Sequence, residues 1–253
     1  MHQDPYKLYI EGECHLANVV KTMVSLLPGE TIEKSCSSKN DPLRSAKYLF
    51  DESLKLLSEC VNAYILRRER LQRLNPDVIF LEMGEVEAFK IKECLEKITK
   101  ITKDQQKSFL ERWYKTEELY DPYNLIKIYI NLDKSGHSLE DYMAAFNPEM
   151  LWAVYNRKII IGIDDYHLRR KHVEAIKNGD EDQSEELTQK RDEHMAKKIS
   201  GYLKRFKPKV SYSIVGEDHI RGLLRNLWDE AWQLGISIDY EVYDTKRLYL
   251  ETL

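Results

Sequence analysis

A chain of 253 residues with 42% hydrophobic and 32% charged residues can bury a substantial core, and this balance is typical of a globular protein rich in surface charge. The 39 basic and 43 acidic residues give a net charge of −4, which excludes nucleic-acid binding through overall positive charge, although a local basic patch is compatible with it. No apolar run approaches the roughly 20 residues that span a bilayer, and residues 1–5 lack the pattern of a secretory signal. We therefore expect a cytoplasmic protein with neither a membrane nor a nucleic-acid partner.

The four cysteines do not follow the usual zinc or disulfide patterns. Cys14, Cys36, Cys60 and Cys94 show no C-x-x-C spacing, which argues against a zinc knuckle and against a disulfide framework. In a reducing compartment we expect thiols. Cys14 stands beside His15 and so invites a nucleophilic interpretation, but adjacent residues of an extended segment point to opposite sides. The thiol is therefore expected to face the core.

Apolar runs typical of strands alternate along the chain with longer segments of helical spacing. Five strands are predicted, at residues 6–10, 77–81, 158–163, 210–215 and 236–242. Helices are predicted at residues 16–27, 42–74, 86–101, 183–206 and 219–234. This alternation predicts a single α/β domain over residues 1–253, with a largely parallel central sheet flanked by helices.

Residues 104–157 form a predicted helical insertion in this domain. The segment is rich in aromatic residues, namely Trp113, Tyr114, Tyr120, Tyr123, Tyr129, Tyr142, Phe146, Trp152 and Tyr155. One interpretation is a lid or a wall of the substrate pocket. The other is that the aromatic rings supply the core of a small helical subdomain.

Polar side chains follow four of the predicted strands, at the point where each strand ends. They are Glu13 and His15, Glu82, Asp164 and Asp165, and Glu217, Asp218 and His219. The first and last groups belong to two Gly-x-x-His turns. Because the carboxyl ends of parallel strands lie along one rim of the sheet, we expect these side chains to meet there.

Two histidines with several carboxylates suit a divalent ion or general acid–base catalysis on an activated water. Carboxylates directly after apolar runs are costly to bury unless they are paired or bind a metal. Each residue alone also has a structural interpretation, because Glu82, Asp164 or Asp165 could cap the following helix and a lone histidine is often a hydrogen-bonded core residue. The prediction therefore rests on the group rather than on any one member.

Arg191 is a further candidate, in the segment Arg191-Asp192-Glu193-His194-Met195-Ala196. In a charged helix the ordinary expectation is a solvated face with local ion pairs. Arg191 also borders an apolar stripe, however, from which it could reach the rim and act as a carboxylate or oxyanion partner.

The order of these motifs resembles the superfamily that joins TraB/PrgY proteins, Tiki proteases, erythromycin esterases and ChaN haem-binding proteins. The resemblance spans most of the chain as a scaffold and is specific only at the short motifs. It implies a parallel α/β fold with the motifs on one rim. In the Tiki branch the paired Gly-x-x-His motifs and a Glu are metal-binding and catalytic, and the matching residues are His15, Glu82 and His219. The erythromycin-esterase branch matches at Glu13 as well, but has one more residue between its Glu and His.

These observations predict a metal-dependent hydrolase of the Tiki or TraB type, acting on an amide or ester bond of a small-molecule or peptide substrate. His15, Glu82 and His219 would hold a divalent ion, either Mn, Co or Zn. Glu13 would be the general base or a fourth ligand, and Arg191 would stabilise the developing oxyanion. The additional rim candidates are Asp164, Asp165 and Glu217.

Two alternatives stay open. The ChaN branch has a Gly-Glu-x-His like the one here and binds haem, so the same rim could serve a binding or regulatory protein for haem or a peptide. A metal-free esterase is the second alternative. A transition metal in the purified protein would indicate the metal-dependent hydrolase. A Soret band on haem titration would indicate the binding protein. Ester hydrolysis in the presence of a chelator would indicate the metal-free esterase.

Overall fold

The computed structural model describes residues 4–13, 66–100 and 148–243. The chain divides into two compact units, one made of residues 1–14, 70–94 and 153–253 and the other of residues 15–69 and 95–152. The predicted helix at 16–27, Cys14 and His15 lie outside the described residues. So does most of the predicted insertion at 104–157, of which the structure describes the residues from 148 onward.

The first unit is built on a five-stranded sheet in which every strand runs parallel to its neighbours. The strands are β1 (Tyr6–Glu13), β2 (Val78–Gly84), β3 (Ile159–Asp164), β4 (Val210–Gly216) and β5 (Ile238–Tyr243). Their order across the sheet is β3-β2-β4-β1-β5. The α/β fold with a parallel sheet is thereby confirmed, and each strand lies where its apolar run predicts it.

Helices accompany the sheet, and capping residues mark several of their ends. The helices are α1 (Glu85–Ile98), α2 (Pro148–Tyr155), α3 (Tyr166–Asn178), α4 (Glu181–Phe206) and α5 (Glu217–Leu234), and residues 66–74 are also helical. The carboxylate of Asp180 accepts a hydrogen bond from the N–H of Gln183 at the start of α4. Gly179 and Gly235 end α3 and α5 in the left-handed conformation, which glycine adopts at little cost. None of the described helices is long and apolar enough to cross a membrane.

Helices α4 and α5 pack against one face of the sheet and form its core. Alternate residues of the strands point to this face, as the two-residue period of a strand requires. The buried strand residues are Leu8, Ile10, Val78, Phe80, Ile161, Ile163 and Val215, and the helices contribute Met195, Ala196, Ile199, Leu203, Leu223 and Leu227. Each large aliphatic side chain buried here contributes about 2 kcal/mol of hydrophobic stabilisation.

Gly12 allows α5 to approach the carboxyl end of β1. A Cβ atom at this position would lie 2.6 Å from Cδ1 of Ile220, on the first turns of α5. The glycine of the first Gly-x-x-His motif thus has a packing role within β1. The close approach brings the start of α5, and His219 with it, to the rim of the sheet.

Candidate active site

Four charged groups from the first unit converge at the carboxyl ends of β2, β3 and β4. Glu82 lies near the end of β2, Asp164 is the last residue of β3, and His219 lies in the first turn of α5 directly after β4. Arg191 reaches the same place from the middle of α4. All four side chains are at most 14% exposed, so their ionic contacts are shielded from water.

The guanidinium of Arg191 connects the ends of β2 and β3. Its Nε and Nη2 atoms donate to the two oxygens of Asp164 over 3.0 and 2.9 Å, and Nη2 also donates to Oε1 of Glu82 over 2.5 Å. A two-point contact of this kind fixes both partners in one plane and is among the strongest ion pairs in proteins. Arg191 is therefore held by carboxylates on two strands.

His219 lies between two carboxylates. Its Nδ1 is 2.5 Å from Oδ1 of Asp192, and its Nε2 is 3.2 Å from Oε1 of Glu82. Asp192 follows Arg191 in α4, so one helical turn supplies partners for both sides of the cluster. The result is a row of alternating charges that runs from Asp192 through His219 and Glu82 to Arg191.

A bulge in β2 directs Glu82 into this row. The pairing of β2 with β3 shifts register between Leu81 and Gly84, which adds one residue on β2 at the site. The second oxygen of Glu82, Oε2, accepts a hydrogen bond of 2.5 Å from the backbone N–H of Gly216 at the end of β4. The carboxylate thereby joins neighbouring strands at the rim.

The surroundings shift the pKa values of the central pair in opposite directions. Burial opposes ionisation of Glu82, but the hydrogen bond and charge of His219, the charge of Arg191 and the Gly216 N–H outweigh it and lower the pKa of Glu82 from 4.5 to about 2. Burial likewise opposes the charged form of His219. Its hydrogen bonds to Asp192 and Glu82 prevail and raise the pKa of His219 from 6.5 to about 9. At neutral pH the pair is therefore an imidazolium beside a carboxylate.

His172 of α3 supports Arg191 from the opposite side and must do so as a neutral ring. Nη1 of Arg191 lies 3.2 Å from Nδ1 of His172, and because a guanidinium only donates, Nδ1 must accept. The ring proton is then on Nε2, which faces the hydroxyls of Ser184 at 3.0 Å and Thr188 at 3.1 Å. Burial and the charge of Arg191 lower the pKa of His172, which favours this neutral form.

Gly222 leaves room for the carboxylate of Asp192. A Cβ atom at residue 222 would collide with Oδ2 of Asp192, whose other oxygen contacts His219. A glycine in the interior of α5 costs about 1 kcal/mol relative to alanine, so its presence needs a reason. The space it provides for Asp192 is that reason.

A second buried ion pair lies on β1. Glu11 is fully buried, and its Oε2 accepts from Nη1 of Arg70 over 3.1 Å and from the hydroxyl of Tyr212. The guanidinium of Arg70 also lies 4.4 Å from the ring centre of Tyr243. This cluster satisfies the buried carboxylate within the fold.

The predicted rim residues have different surroundings in the structure. Glu82, Arg191 and His219 come together, and Asp164 joins them through Arg191. Asp165 does not join the cluster, because its carboxylate caps α3 by accepting from the N–H groups of His167 and Leu168. Two further predicted residues lie at the same rim, and both are partly buried. Glu13 ends β1 opposite Gly216, and Glu217 is the first residue of α5. His15 lies outside the described residues.

The spacing of Glu82 and His219 fits two ligands of one metal ion. Two atoms that each lie about 2.1 Å from an ion at a tetrahedral angle are about 3.4 Å apart, close to the 3.2 Å between Oε1 of Glu82 and Nε2 of His219. A carboxylate on the other nitrogen of a ligating histidine, as Asp192 provides, is the usual supporting contact. Within residues 4–13, 66–100 and 148–243, no three His, Cys, Asp or Glu side chains are grouped to hold a metal.

Asp192, His172 and Glu11 were not among the predicted site residues, nor were Arg70 and Tyr212, the partners of Glu11. Asp192 and His172 sit in charged helical segments where their neighbours in space are not visible from the sequence. Glu11 had a usable signal, since it is a carboxylate that directly follows the run Leu8-Tyr9-Ile10. The chain matches no protein-family model, no curated protein and no solved structure.

Proposed function

We propose that the protein is a metal-dependent hydrolase that cleaves an amide or ester bond of a small-molecule or peptide substrate. The observation that carries the proposal is the pair formed by Glu82 and His219, with their facing atoms 3.2 Å apart and Asp192 on the far side of the imidazole. This donor set, at the carboxyl ends of parallel strands, suits a divalent transition metal.

Glu82, His219 and His15 would hold the ion, which is Mn, Co or Zn on this donor set. When bound, such an ion lowers the pKa of a water molecule toward neutrality and polarises a carbonyl group. Asp192 keeps the proton of His219 on Nδ1, so that Nε2 is the atom presented toward Glu82 once the ring is neutral. Asp192 thus fixes both the tautomer and the orientation of the ring.

Charge balance within the cluster also supports a cation. Besides Arg191, the guanidinium of Arg169 lies 3.9 Å from Asp164 and 2.7 Å from Glu87. With His219 neutral, the four carboxylates (Glu82, Glu87, Asp164 and Asp192) therefore face two guanidinium groups. A divalent ion would compensate the remaining two negative charges. Buried carboxylates without compensation are expensive, which favours binding of the ion at this position.

Arg191 and Glu13 take the remaining roles in the proposal. The contacts of Arg191 with Asp164 and Glu82 hold the latter carboxylate in place, and this positioning role accompanies the proposed stabilisation of an oxyanion. Glu13 ends β1 opposite Gly216, whose N–H donates to Glu82, so it lies at the same rim and would act as the general base.

Metal analysis of the purified protein tests the proposal. We expect about one transition-metal ion per chain in the wild type and its loss in His219→Ala, Glu82→Ala and His15→Ala. His167→Ala is the matched control, because His167 is exposed and its ring lies against Tyr166 rather than in the cluster. A wild type without metal, whose melting temperature does not rise with added Mn, Co or Zn, would contradict the proposal.

A metal-free esterase is the second candidate, and one observation favours it. In the row from Asp192 through His219 to Glu82, both ring nitrogens of His219 face carboxylate oxygens, at 2.5 and 3.2 Å. A carboxylate that orients a histidine beside a second carboxylate can serve general acid–base catalysis. Hydrolysis of a generic ester that persists in chelator and disappears in Glu82→Gln would indicate this mechanism, whereas loss of activity in chelator would indicate the metal enzyme.

A further inference from the structure

An apolar groove of about 850 Å³ lies at the β3 edge of the sheet, away from the charged cluster. Its floor is formed by strand residues of β2 and β3, and its two walls by the start of α1 and the end of α4. The apolar lining includes Ile159 and Ile161 on the strands and Val86, Phe89, Tyr202 and Phe206 on the helices. This volume lies in the range of sites that hold small ligands.

Several apolar side chains of the groove remain largely exposed to solvent in the folded protein. Phe89 is 64% exposed, and Val86, Phe206 and Ile159 are each at least 50% exposed. Single exposed apolar side chains are common, but several that face one groove form a continuous apolar surface. Such a surface favours a ligand with an apolar part.

A second, basic hollow of about 430 Å³ adjoins the groove on α4. The two cavities share Tyr202 as a lining residue. Among the residues that the structure describes, the remaining lining of the hollow is His194, Lys197, Lys198, Gly201 and Arg205, with no carboxylate in this set. On a chain with a net charge of −4, this is a local concentration of positive charge.

The carboxylates that border the groove are already engaged. Glu85 accepts from the ammonium of Lys198 and, over 2.7 Å, from the hydroxyl of Tyr202. Asp77 accepts from the backbone N–H groups of Lys209 and Val210 over 2.8 and 3.3 Å. The hollow therefore keeps a positive potential beside an apolar groove, with Tyr202 as the wall between them.

We propose that the groove and the hollow together bind a single-chain amphiphile with an anionic phosphate head. The alkyl chain would lie on Ile159 and Ile161 between Phe89 and Phe206. The head would lie in the hollow and contact Lys197 and Arg205. This site is independent of the metal-dependent function proposed for the rim.

Calorimetric titration with dodecyl, decyl and octyl phosphate, each below its critical micelle concentration, tests the chain and the head together. We expect the dissociation constant to rise about tenfold for every two methylenes removed, because each buried methylene contributes roughly equally. Inorganic phosphate and dodecanol, which carry only the head or only the chain, are each expected to bind at least tenfold more weakly than dodecyl phosphate.

Two pairs of variants separate this site from general surface effects. Phe89→Glu is expected to abolish measurable binding of dodecyl phosphate, and its control is Trp232→Glu, an aromatic residue that is 82% exposed on α5 outside both cavities. The double variant Lys197→Glu/Arg205→Glu is expected to weaken binding at least tenfold. Its control, Lys171→Glu/Lys177→Glu, makes the same charge change on exposed positions of α3.

Several outcomes would overturn the proposal. An affinity that does not depend on chain length, or one that Phe89→Glu and Trp232→Glu reduce equally, would show that the chain does not enter the groove. Binding of anionic vesicles without binding of monomeric dodecyl phosphate would assign the surface to a membrane instead. Self-association that Phe89→Glu abolishes, without any binding of the amphiphile, would assign it to a second copy of the chain.

Discussion

Raising the pH of the metal-free protein from 6 to 10 is expected to remove a defined part of its stability through His219. In the folded protein the imidazolium is buried between Asp192 and Glu82, which raises its pKa from 6.5 to about 9. The unfolded chain lacks these contacts and releases the proton near the ordinary value. The folded state therefore binds one more proton than the unfolded state between these two pH values.

The size of the effect follows from this difference. A folded-state pKa above the unfolded one contributes stability that is complete below pH 6.5 and is lost as the pH rises through about 9. The two values differ by an amount that corresponds to roughly 3 kcal/mol, and the free energy of unfolding falls by at most about 1.4 kcal/mol per pH unit. This is a large fraction of the total stability of a typical domain.

Urea unfolding in chelator at several pH values measures the effect directly. The wild type is compared with His219→Gln, which cannot take up the proton, and with His167→Gln, an exposed histidine outside the cluster. We expect the stability difference between wild type and His219→Gln to be largest at pH 6 and to shrink by roughly 3 kcal/mol by pH 10. The curve of His167→Gln should remain parallel to that of the wild type.

Two results would refute the reasoning. If the wild type and His219→Gln lose stability in parallel between pH 6 and pH 10, the proton is not bound where the structure places it. If NMR titration shows His219 ionising below its ordinary value, burial has prevailed over the two carboxylates. Either result would also remove the basis for an ion pair between His219 and Glu82.

Three substitutions probe the remaining contacts of the cluster. Arg191→Lys removes the two-point contact with Asp164 and is expected to lower the free energy of unfolding in urea by about 3 kcal/mol. A decrease below about 1 kcal/mol would contradict the paired geometry. Asp165→Ala removes a helix cap and should cost about 1 kcal/mol while leaving metal content unchanged, so a loss of metal would return Asp165 to the site. Gly222→Ala should displace Asp192 and bring the pKa of His219, measured by NMR, closer to 6.5, although alanine has the better helix propensity. An unchanged pKa would show that the position of Asp192 does not depend on this space.

The sheet was predictable because its strands carry two local signals. β2 and β3 read as continuous apolar runs, Val78–Leu81 and Ile159–Ile163, which a strand covered on both faces requires. Each run is also followed by a carboxylate, Glu82 or Asp164, that marks its end in the sequence. The parallel direction followed from the helices between the strands, because a parallel pair needs a long crossover connection.

The charged cluster was predictable only where its residues follow a strand. Glu82 and Asp164 come directly after an apolar run, and His219 follows one at the fourth position, so parallel strands place all three on one rim. Asp192 and His172 lie within helices, and their contacts depend on how α4 crosses the sheet and on the space left by Gly222. Helix packing of this kind is set by the fit of many side chains, and no short sequence pattern encodes it.

The energetics of the cluster argue that folding alone does not account for it. Glu82, Asp164, Asp192, Arg191 and His219 are removed from water together, and replacing such groups by apolar residues of similar volume is often neutral or stabilising. The ion pair between Glu11 of β1 and Arg70 has matched charges, as a structural ion pair should. The rim cluster, counted with the adjoining pair of Arg169 and Glu87, instead carries four carboxylates against two guanidinium groups, and it comes nearer to balance while His219 keeps a proton. The proton of His219 offsets the negative charge of the neighbouring carboxylates, and a divalent ion can take the place of that proton. The pH series measures binding of the proton, and the metal analysis measures binding of the ion.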